Sequence, residues 1–469
     1  MTCPYGNNVH VIGIAGSEAA AVLKFLRNTY PRLQLTGHDS STREEFLRNF
    51  KEAHIGLGTK TAVERGRELL QLEGVHFQFG GEYLEGIEQA DSLFVPQSWY
   101  LYEQNEPLKV FQEKFCSITR LYFDLFPGKI IGITGSNGKT STSTMIAEIM
   151  RRAYPRTLYS GNDRRTEQVL DRLDQAERDD WLVLEISNRQ LMADLGKSPD
   201  ISVITNITPN HLSEYNNFEE YAAVKKSMLK YQTARQWSVL NDDDPESREL
   251  IERDGGETMP FSTEHQLPKG VFVRFGQIII KHADREEVTM KAGELPLLGK
   301  HSLANALAAT AATHLAGVKA ELIAQTLRSL EPIPQRLESV QTVLGVTYYN
   351  DSASTAPEST LAALDTLQQP QQALYVILGG KSKGSDYQPL AEALQKTGIR
   401  PILLSSPLAD ELKSLFEKKA PAECETLQQA LQFAKENAQA GDRVVLSPAG
   451  EYFSYFRDKM TGYKNFRDI

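Results

Sequence analysis

The residues with the clearest capacity for chemistry stand between Gly132 and Thr142, which read Gly-Ile-Thr-Gly-Ser-Asn-Gly-Lys-Thr-Ser-Thr. Small residues let backbone N–H groups close around phosphate oxygens, Lys139 can reach the outer phosphates, and the Thr140 hydroxyl can ligate Mg²⁺. The general phosphate-loop pattern also asks for a glycine where this chain has Ile133. We predict that Lys139 is catalytic and that nucleotide phosphates are bound by Gly135, Ser136, Asn137, Gly138, Lys139, Thr140 and Ser141.

The elements around this loop must place it at a turn between a strand and a helix. The apolar run 129–133 predicts a buried strand, and 143–150 carries apolar residues at helical spacing. The start of a helix adds positive potential where a phosphate would lie. An ordinary glycine-rich turn is the alternative, but the strand and helix context favours a phosphate loop.

Three further polar residues lie after or near predicted strands. Glu185 ends the apolar run 181–185, where an unpaired charge is costly, so it is a candidate Mg²⁺ ligand, with a salt-bridged structural acid as the alternative. His211 follows the strand-like run 201–207. A lone histidine is more often structural, but ligands of open α/β sheets gather at this edge, so His211 is a candidate ligand. Lys225 lies on a predicted helix and, alone, indicates a solvated charge.

The first hundred residues open like a nucleotide-binding unit. A strand from Val9 runs into a glycine turn, a helix and a second strand that ends at Asp39. Ala15 and Glu18 stand where a dinucleotide fingerprint needs glycine, which disfavours NAD. Asp39 can accept hydrogen bonds from a different nucleotide substrate, or it can serve equally well as a helix cap or turn residue.

The remainder of the chain changes pattern twice. Residues 270–290 alternate as antiparallel strands would, 301–316 predict an alanine-rich helix that contains Asn305, and 331–334 break the chain like a linker. Strands alternating with helices then resume, with the strands at 346–351, 373–378, 401–405 and 443–447. We predict an α/β fold of three domains: Rossmann-like over 1–109, a central P-loop ATPase-like parallel sheet over 110–331, and Rossmann-like over 332–469.

Composition narrows the classes of function. The 469 residues carry a net charge of −10 without a long basic run, which argues against nucleic-acid binding. Three widely spaced cysteines suit a reducing compartment and give no support for structural zinc. The first residues show no secretory signal, and no apolar run is long enough for a membrane span. We therefore expect a cytoplasmic protein, without membrane attachment, and by default a monomer.

Taken together, these stretches resemble the Mur ligase family of ATP-dependent enzymes, which add amino acids to the UDP-N-acetylmuramoyl precursor of peptidoglycan. The resemblance covers nearly the whole chain, and the order of its motifs is specific. The motifs are Gly132–Thr142, Glu185–Gln190, Asn210–Leu212, Tyr221–Lys225, Leu240–Pro245, His301–Ala309, Arg336, Asn350–Ser352 and Ser447–Ala449. The family's domain plan, which binds the UDP substrate, ATP and the amino acid in that order, matches the three predicted segments.

The resemblance implies roles for single residues. Thr140 would bind one Mg²⁺, and Glu185, His211 and a carbamylated Lys225 would bind a second, which makes His211 and Lys225 part of the catalytic set. The nucleotide would be contacted by three residues from distant segments: Asn305 at adenine, Arg336 at the phosphates and Asp351 at the ribose. The resemblance assigns Asn162 to the sugar nucleotide and Lys383 to the amino acid, and Asp39, from its place at a strand end, is a further candidate contact to the sugar nucleotide.

The implied reaction is ATP-dependent amide formation through an acyl phosphate, with D-glutamate added to UDP-N-acetylmuramoyl-L-alanine. Three positions depart from the pattern of enzymes that add D-glutamate, namely Ala353, Tyr452 and Ser213. The first removes a lysine and the second replaces a serine near the expected amino-acid site. A different amino acid such as L-glutamate, a folylpolyglutamate-type ligase and a non-catalytic nucleotide-binding relative are the alternatives.

Overall fold

The computed structural model of the chain describes residues 3–54, 57–161, 169–210, 214–253, 255–331, 335–382, 384–416 and 421–451. Their strands form three separate sheets that follow one another along the chain, with helices between the strands. The predicted α/β class and order of three units are confirmed. Within those ranges, no helix is both long and apolar enough to cross a membrane.

The first sheet has five parallel strands in the order β3-β2-β1-β4-β5. The strands are β1 (Asn8–Ile12), β2 (Gln34–Asp39), β3 (Val75–Phe79), β4 (Ser92–Phe94) and β5 (Phe115–Cys116). The helices are α1 (Ser17–Thr29), α2 (Phe46–Ala53), α3 (Thr59–Leu70) and α4 (Ile118–Leu125). The boundary predicted at residue 109 falls inside a 3₁₀ segment, Glu103–Lys114, and β5 beyond it still pairs with this sheet.

The second sheet has nine strands in the order β14-β13-β12-β11-β10-β9-β6-β8-β7. The strands are β6 (Lys129–Thr134), β7 (Leu158–Ser160), β8 (Trp181–Glu185), β9 (Ile201–Ile204), β10 (Trp237–Asn241), β11 (Glu257–Ser262), β12 (Gly270–Arg274), β13 (Gln277–His282) and β14 (Arg285–Lys291). Neighbours from β7 to β12 are parallel, whereas β12, β13 and β14 pair antiparallel as predicted. The helices are α5 (Lys139–Ala153), α6 (Asn188–Leu191), α7 (Phe218–Lys226), α8 (Pro245–Arg248), α9 (Lys300–Leu315) and α10 (Ala320–Arg328).

The third sheet has six strands in the order β15-β16-β20-β17-β18-β19, parallel except for β15 against β16. The strands are β15 (Glu338–Val343), β16 (Val346–Asn350), β17 (Leu374–Gly379), β18 (Ile399–Leu404), β19 (Ala422–Cys424) and β20 (Arg443–Ala449). The helices are α11 (Pro357–Leu367), α12 (Gln388–Leu394), α13 (Pro407–Ser414) and α14 (Leu427–Asn437).

The parallel strands β6, β8, β9 and β10 of the central sheet are buried on both faces, which explains their continuous apolar runs. Leu182 and Leu184 of β8 join the apolar core that also contains Leu23 of α1, whereas Val183 between them joins the core formed with α5 and α9. Every residue of α9 from Asn305 to Thr313 is buried, and its alanines let α5 pack closely against it. The carboxyl edge of this sheet is thereby held rigidly where β6 leads into α5.

Candidate active site

Two glycines give the loop between β6 and α5 its shape. Gly135 and Gly138 both have positive φ, +153° and +82°. A methyl group on Gly135 would lie 1.9 Å from Oγ1 of Thr205, and one on Gly138 would lie 2.3 Å from Oδ1 of Asn305. Side chains longer than hydrogen therefore fit neither the backbone conformation nor the space at these two positions.

Two lysines converge on one carbonyl of this loop. Nζ of Lys139 donates to the carbonyl oxygens of Gly135 and Ser136 at 2.7 and 3.0 Å, and Nζ of Lys225 donates to that of Gly135 at 2.9 Å. Lys225 is fully buried. Burial, reinforced by the charge of Lys139, lowers the pKa of Lys225 well below its ordinary value. The structure thus brings together two of the predicted catalytic residues and gives Lys225 an environment that favours the uncharged amine.

The Glu185 carboxylate lies against hydroxyl groups at the end of β8. It is 4% exposed, and it accepts hydrogen bonds from Oγ1 of Thr140 at 3.2 Å and from Oγ of Ser143 at 3.4 Å. Among the described residues it forms no salt bridge, so the alternative of a salt-bridged structural acid finds no support there. A buried carboxylate beside a hydroxyl offers the oxygen ligands that Mg²⁺ prefers.

The loop is also held by residues that the sequence analysis did not single out. Oγ of Ser136 lies 2.9 Å from the Tyr221 hydroxyl. The backbone N–H of Asn137 donates to Oδ1 of Asn206 at 3.0 Å, and Oγ1 of Thr205 donates to the Asn137 carbonyl at 2.5 Å. Thr205 and Asn206 directly follow β9, so the strand-end rule that selected His211 would have found them too.

Residues from beyond the second sheet reach the same loop. Oγ of Ser359, on α11, donates to Oδ1 of Asn137 at 3.2 Å, which joins the third sheet's helix to the loop. Asn305 is buried on α9, where its Oδ1 accepts from Oγ1 of Thr142 at 3.2 Å. Ser141 is buried in the first turn of α5. The predicted nucleotide-binding residues of the second sheet therefore share one site.

Arg336 and Asp351 lie together where the third sheet begins. Asp351 follows β16, and its carboxylate accepts the backbone N–H of Leu337 at 3.0 Å and Oγ of Ser447 at 2.8 Å. Burial raises the pKa of Asp351 to about 6, although these hydrogen bonds and the charge of Arg336 oppose the rise. Gln335 and Leu337, on either side of Arg336, both have positive φ, +66° and +45°. Asp351 thus helps to hold a strained backbone that fixes the position of Arg336.

A cavity of about 420 Å³ lies between the first sheet's carboxyl edge and residues Ser160, Gly161 and Gln190 of the second unit. Glu18 lines it from the first turn of α1, and burial raises the pKa of this carboxyl to about 7. Nε2 of Gln97 donates to Glu18 at 3.1 Å. The cavity is the candidate site for the sugar nucleotide, and the exclusion of a dinucleotide stays a prediction.

Asp39 lies beneath this cavity rather than in its lining. Its Oδ2 accepts the backbone N–H of Ala15 at 2.8 Å, and its Oδ1 accepts the N–H and hydroxyl of Ser41 at 3.1 and 2.6 Å. The neighbouring Ser40 does line the cavity. These contacts are those of a turn-holding residue, the second of the two interpretations given above, and contact with substrate stays a prediction.

A polar cluster connects the first unit to the second. The Tyr100 hydroxyl donates to Glu214 at 2.6 Å, and Arg189 donates to both oxygens of the same carboxylate at 2.6 and 3.0 Å. Oγ of Ser187 donates to the amide oxygen of Gln97 at 2.7 Å. These contacts fix the wall of the cavity against the segment that follows Glu185.

Three predicted site residues, Asn162, His211 and Lys383, lie outside the described residues. Within the part of the chain that the structure describes, no three His, Cys, Asp or Glu side chains are grouped as metal ligands. Of the two predicted metal sites, one would use Thr140 and the other would combine Glu185 with His211 and a modified Lys225, and Thr140 and Glu185 are in contact. The assignments of all these residues stay predictions.

The fold and the loop together are those of an α/β protein with a candidate phosphate-binding loop at the edge of its central sheet. The Mur ligase middle domain profile matches residues 133–313, and the profile of the Mur ligase, glutamate ligase domain matches 335–450. The chain belongs to the Mur ligase family, whose members are ATP-dependent ligases that form amide bonds. The predicted family and enzyme class are confirmed.

Individual relatives agree with this placement. The chain is 31% identical to UDP-N-acetylmuramoylalanine--D-glutamate ligase of Symbiobacterium thermophilum, over 87% of this chain and 89% of that protein. It is 34% identical to the protein of the same name from Koribacter versatilis, over 73% and 74%. A solved structure of a pseudomurein peptide ligase type C from Methanothermus fervidus, 18% identical, superposes over 97% of this chain and 99% of that chain with a TM-score of 0.58. That likeness shows the shared fold.

Proposed function

We propose that this chain joins D-glutamate to UDP-N-acetylmuramoyl-L-alanine at the expense of ATP, a step in the assembly of peptidoglycan precursors. The observation that carries the proposal is the Thr140 hydroxyl 3.2 Å from the buried Glu185 carboxylate, on a loop that also holds Lys139 and Lys225. The names of the two curated relatives support the choice of substrates.

The reaction follows from the chemistry of its substrates. A carboxylate and an amine form a salt in water, so the carboxyl oxygen must first become part of a leaving group. The substrate carboxylate attacks the γ-phosphorus of ATP, ADP departs, and an acyl phosphate remains. The amine nitrogen then attacks the carbonyl carbon, the bond to phosphate breaks, and the nitrogen loses a proton. Lys139 and the N–H groups at the start of α5 would stabilise the charge on the transferring phosphoryl group.

The residues at the loop fit two Mg²⁺ ions. Thr140 at the start of α5 and Glu185 at the end of β8 offer oxygen ligands. The uncharged amine favoured at Lys225 is the form that adds to CO₂ to give an anionic carbamate. We assign one ion to Thr140 and the second to Glu185, His211 and the carbamate of Lys225. When bound, these ions would neutralise negative charge on the phosphoryl oxygens.

The remaining assignments divide between nucleotide and substrates. We assign Asn305 to adenine because it lies beside the loop, and we assign Arg336 to the ATP phosphates and Asp351 to the ribose, as the family resemblance implies. Ser359 on α11 supports this arrangement, since it joins the third sheet's helix to Asn137. We assign Asn162 and Asp39 to binding of the sugar nucleotide, and Lys383 to binding of the amino acid.

A coupled assay tests the proposal. Purified protein is incubated with ATP, Mg²⁺ and UDP-N-acetylmuramoyl-L-alanine, and phosphate release is measured with a panel of amino acids that includes both enantiomers of glutamate. We expect release with D-glutamate and a new amide product by mass spectrometry. If phosphate is released only with L-glutamate or only with a neutral amino acid, the chain is still a ligase but adds that amino acid instead of D-glutamate. Ala353 is the reason for including these amino acids in the panel. No release with any amino acid would contradict the proposal.

A further inference from the structure

One carboxylate close to the phosphate loop has no assigned role. Glu358 stands in the first turn of α11 and is partly buried. Its Oε2 is fully buried and, among the described residues, has no hydrogen-bond partner. An uncompensated buried carboxylate oxygen is costly, so it calls for an explanation, and a catalytic role is one of the recognised explanations.

Two observations, one hydrogen bond and one electrostatic effect, place Glu358 on the side of the third sheet that faces the loop. The next residue, Ser359, donates its hydroxyl to Oδ1 of Asn137 in the loop at 3.2 Å. The charge of Glu358 also reaches Tyr221, since it adds to the effect of burial in raising the pKa of that hydroxyl. Tyr221 in turn lies 2.9 Å from Oγ of Ser136. Glu358 therefore stands beside the loop at which the acyl phosphate would form.

The second chemical step needs a group of this kind. Near neutral pH an α-amino group carries a proton and has no lone pair with which to attack. A base whose pKa lies above that of an ordinary carboxyl accepts such a proton more readily. Burial raises the pKa of Glu358, and the charge of Asp386 adds to the rise, although the backbone N–H of Glu358 opposes it.

We propose that Glu358 is a catalytic residue of the amide-forming step, which binds the ammonium group of the incoming amino acid and accepts its proton. This inference rests on the proposed function. The nitrogen forms its bond to the carbonyl carbon of the acyl phosphate, the carbon–oxygen bond to phosphate breaks, and inorganic phosphate leaves. Oε2 of Glu358 takes one proton from the ammonium group before the attack and later releases it to water, and the second proton on nitrogen leaves with the phosphate as HPO₄²⁻.

The experiment compares two nucleophiles on one enzyme. Hydroxylamine is largely unprotonated near neutral pH, so it captures an acyl phosphate as a hydroxamate without help from a base. Wild type and Glu358→Gln are each given ATP, Mg²⁺ and UDP-N-acetylmuramoyl-L-alanine, with either hydroxylamine or the amino acid that the panel above identifies. We expect Glu358→Gln to form hydroxamate at nearly the wild-type rate and amide about 10²-fold more slowly or worse.

Two further variants complete the test. Glu358→Asp keeps a carboxylate and should recover part of the amide-forming rate, whereas Glu321→Gln, on the exposed face of α10, should match wild type with both nucleophiles. Equal losses with both nucleophiles, or unchanged amide formation in Glu358→Gln, would overturn the role of Glu358 alone. A wild-type protein that forms neither hydroxamate nor amide would overturn the proposed function, and amide without hydroxamate in the wild type would overturn the acyl phosphate on which this inference depends.

Discussion

Replacing Gly138 by alanine probes how the phosphate loop and the adenine site depend on each other. Gly138 has a φ of +82°, and a methyl group there would lie 2.3 Å from Oδ1 of Asn305. Left-handed backbone costs a residue with a Cβ roughly 1–2 kcal/mol. The methyl group would also displace the Asn305 side chain and break its hydrogen bond with Thr142, which contributes about 1 kcal/mol. We expect Gly138→Ala to lose about 2–3 kcal/mol in total.

Gly276 supplies a matched control for the backbone term. It has a similar φ, +72°, in the hairpin between β12 and β13 of the same sheet, and a methyl group there would meet nothing within 4 Å. Gly276→Ala should therefore lose only the backbone term of about 1–2 kcal/mol. The difference between the two variants isolates the contact with Asn305.

Thermal unfolding and ATP kinetics measure the two consequences separately. Each kcal/mol should lower the melting temperature by about 2–4 °C in a domain of this size. A displaced Asn305 should also raise the KM for ATP by about fivefold in Gly138→Ala, since 1 kcal/mol corresponds to that factor. The KM should not change in Gly276→Ala. Equal melting temperatures for the two variants, with wild-type KM values, would refute both the clash and the position of Asn305 at the nucleotide.

Three further perturbations have defined outcomes. Lys139→Ala should lower the rate of ADP release by about 10²-fold or more, because a positive charge is lost where negative charge develops. Acid should destabilise the fold between pH 6.5 and about 4, by up to ~3 kcal/mol in urea unfolding, because burial lowers the pKa of His38 to about 4. As the pH falls, the unfolded chain takes up that proton before the folded protein does. The full stability that neutral His38 contributes is therefore present above pH 6.5. Glu214→Gln should lose about 2 kcal/mol in thermal unfolding, since it weakens charged hydrogen bonds from Arg189.

Each of these has its own control. Lys139→Ala should keep the wild-type circular dichroism spectrum, and ADP release near the wild-type rate would remove Lys139 from the phosphate site. His38→Gln should make the acid slope shallower without abolishing it, because burial lowers the pKa of His301 to about 4 as well, and an unchanged slope would assign the effect to other groups. Glu219→Gln, an exposed neighbour, should leave the melting temperature unchanged, and an equal shift in both glutamate variants would show that the contact with Arg189 contributes nothing.

The periodicity of the sequence was sufficient to find the sheets and the edge at which chemistry gathers. Gly135 follows β6 and Glu185 ends β8, which are neighbours in the sheet, and parallel strands bring their carboxyl ends together. The contact between Thr140 and Glu185 follows from that rule. The contacts of a single side chain do not follow from that rule, because the sequence around Asp39 is equally typical of a ligand and of a turn residue. Only the positions of Ala15 and Ser41 show which contacts its carboxylate makes.

Contacts between the three units could not be predicted from the sequence, for a different reason. Periodicity shows which face of an element is apolar within one sheet, and it carries no information on how two sheets are oriented. The hydrogen bond from Ser359 to Asn137 joins residues 222 positions apart, and the Tyr100 hydroxyl reaches Glu214 across 114. Glu358 was missed for this reason, since its neighbourhood exists only once α11 lies against the phosphate loop.

Asn137 shows why the units must act together. Its backbone is held by the residues that follow β9, Thr205 and Asn206, while its side chain accepts from Ser359 on α11. One loop residue therefore couples the position of the third sheet to the shape of the phosphate site. A ligase needs such coupling, because an acyl phosphate formed before the amine is in place would be lost to water. The contact that orders the loop also brings Glu358, and with it the proposed amine site, to the reacting carbonyl.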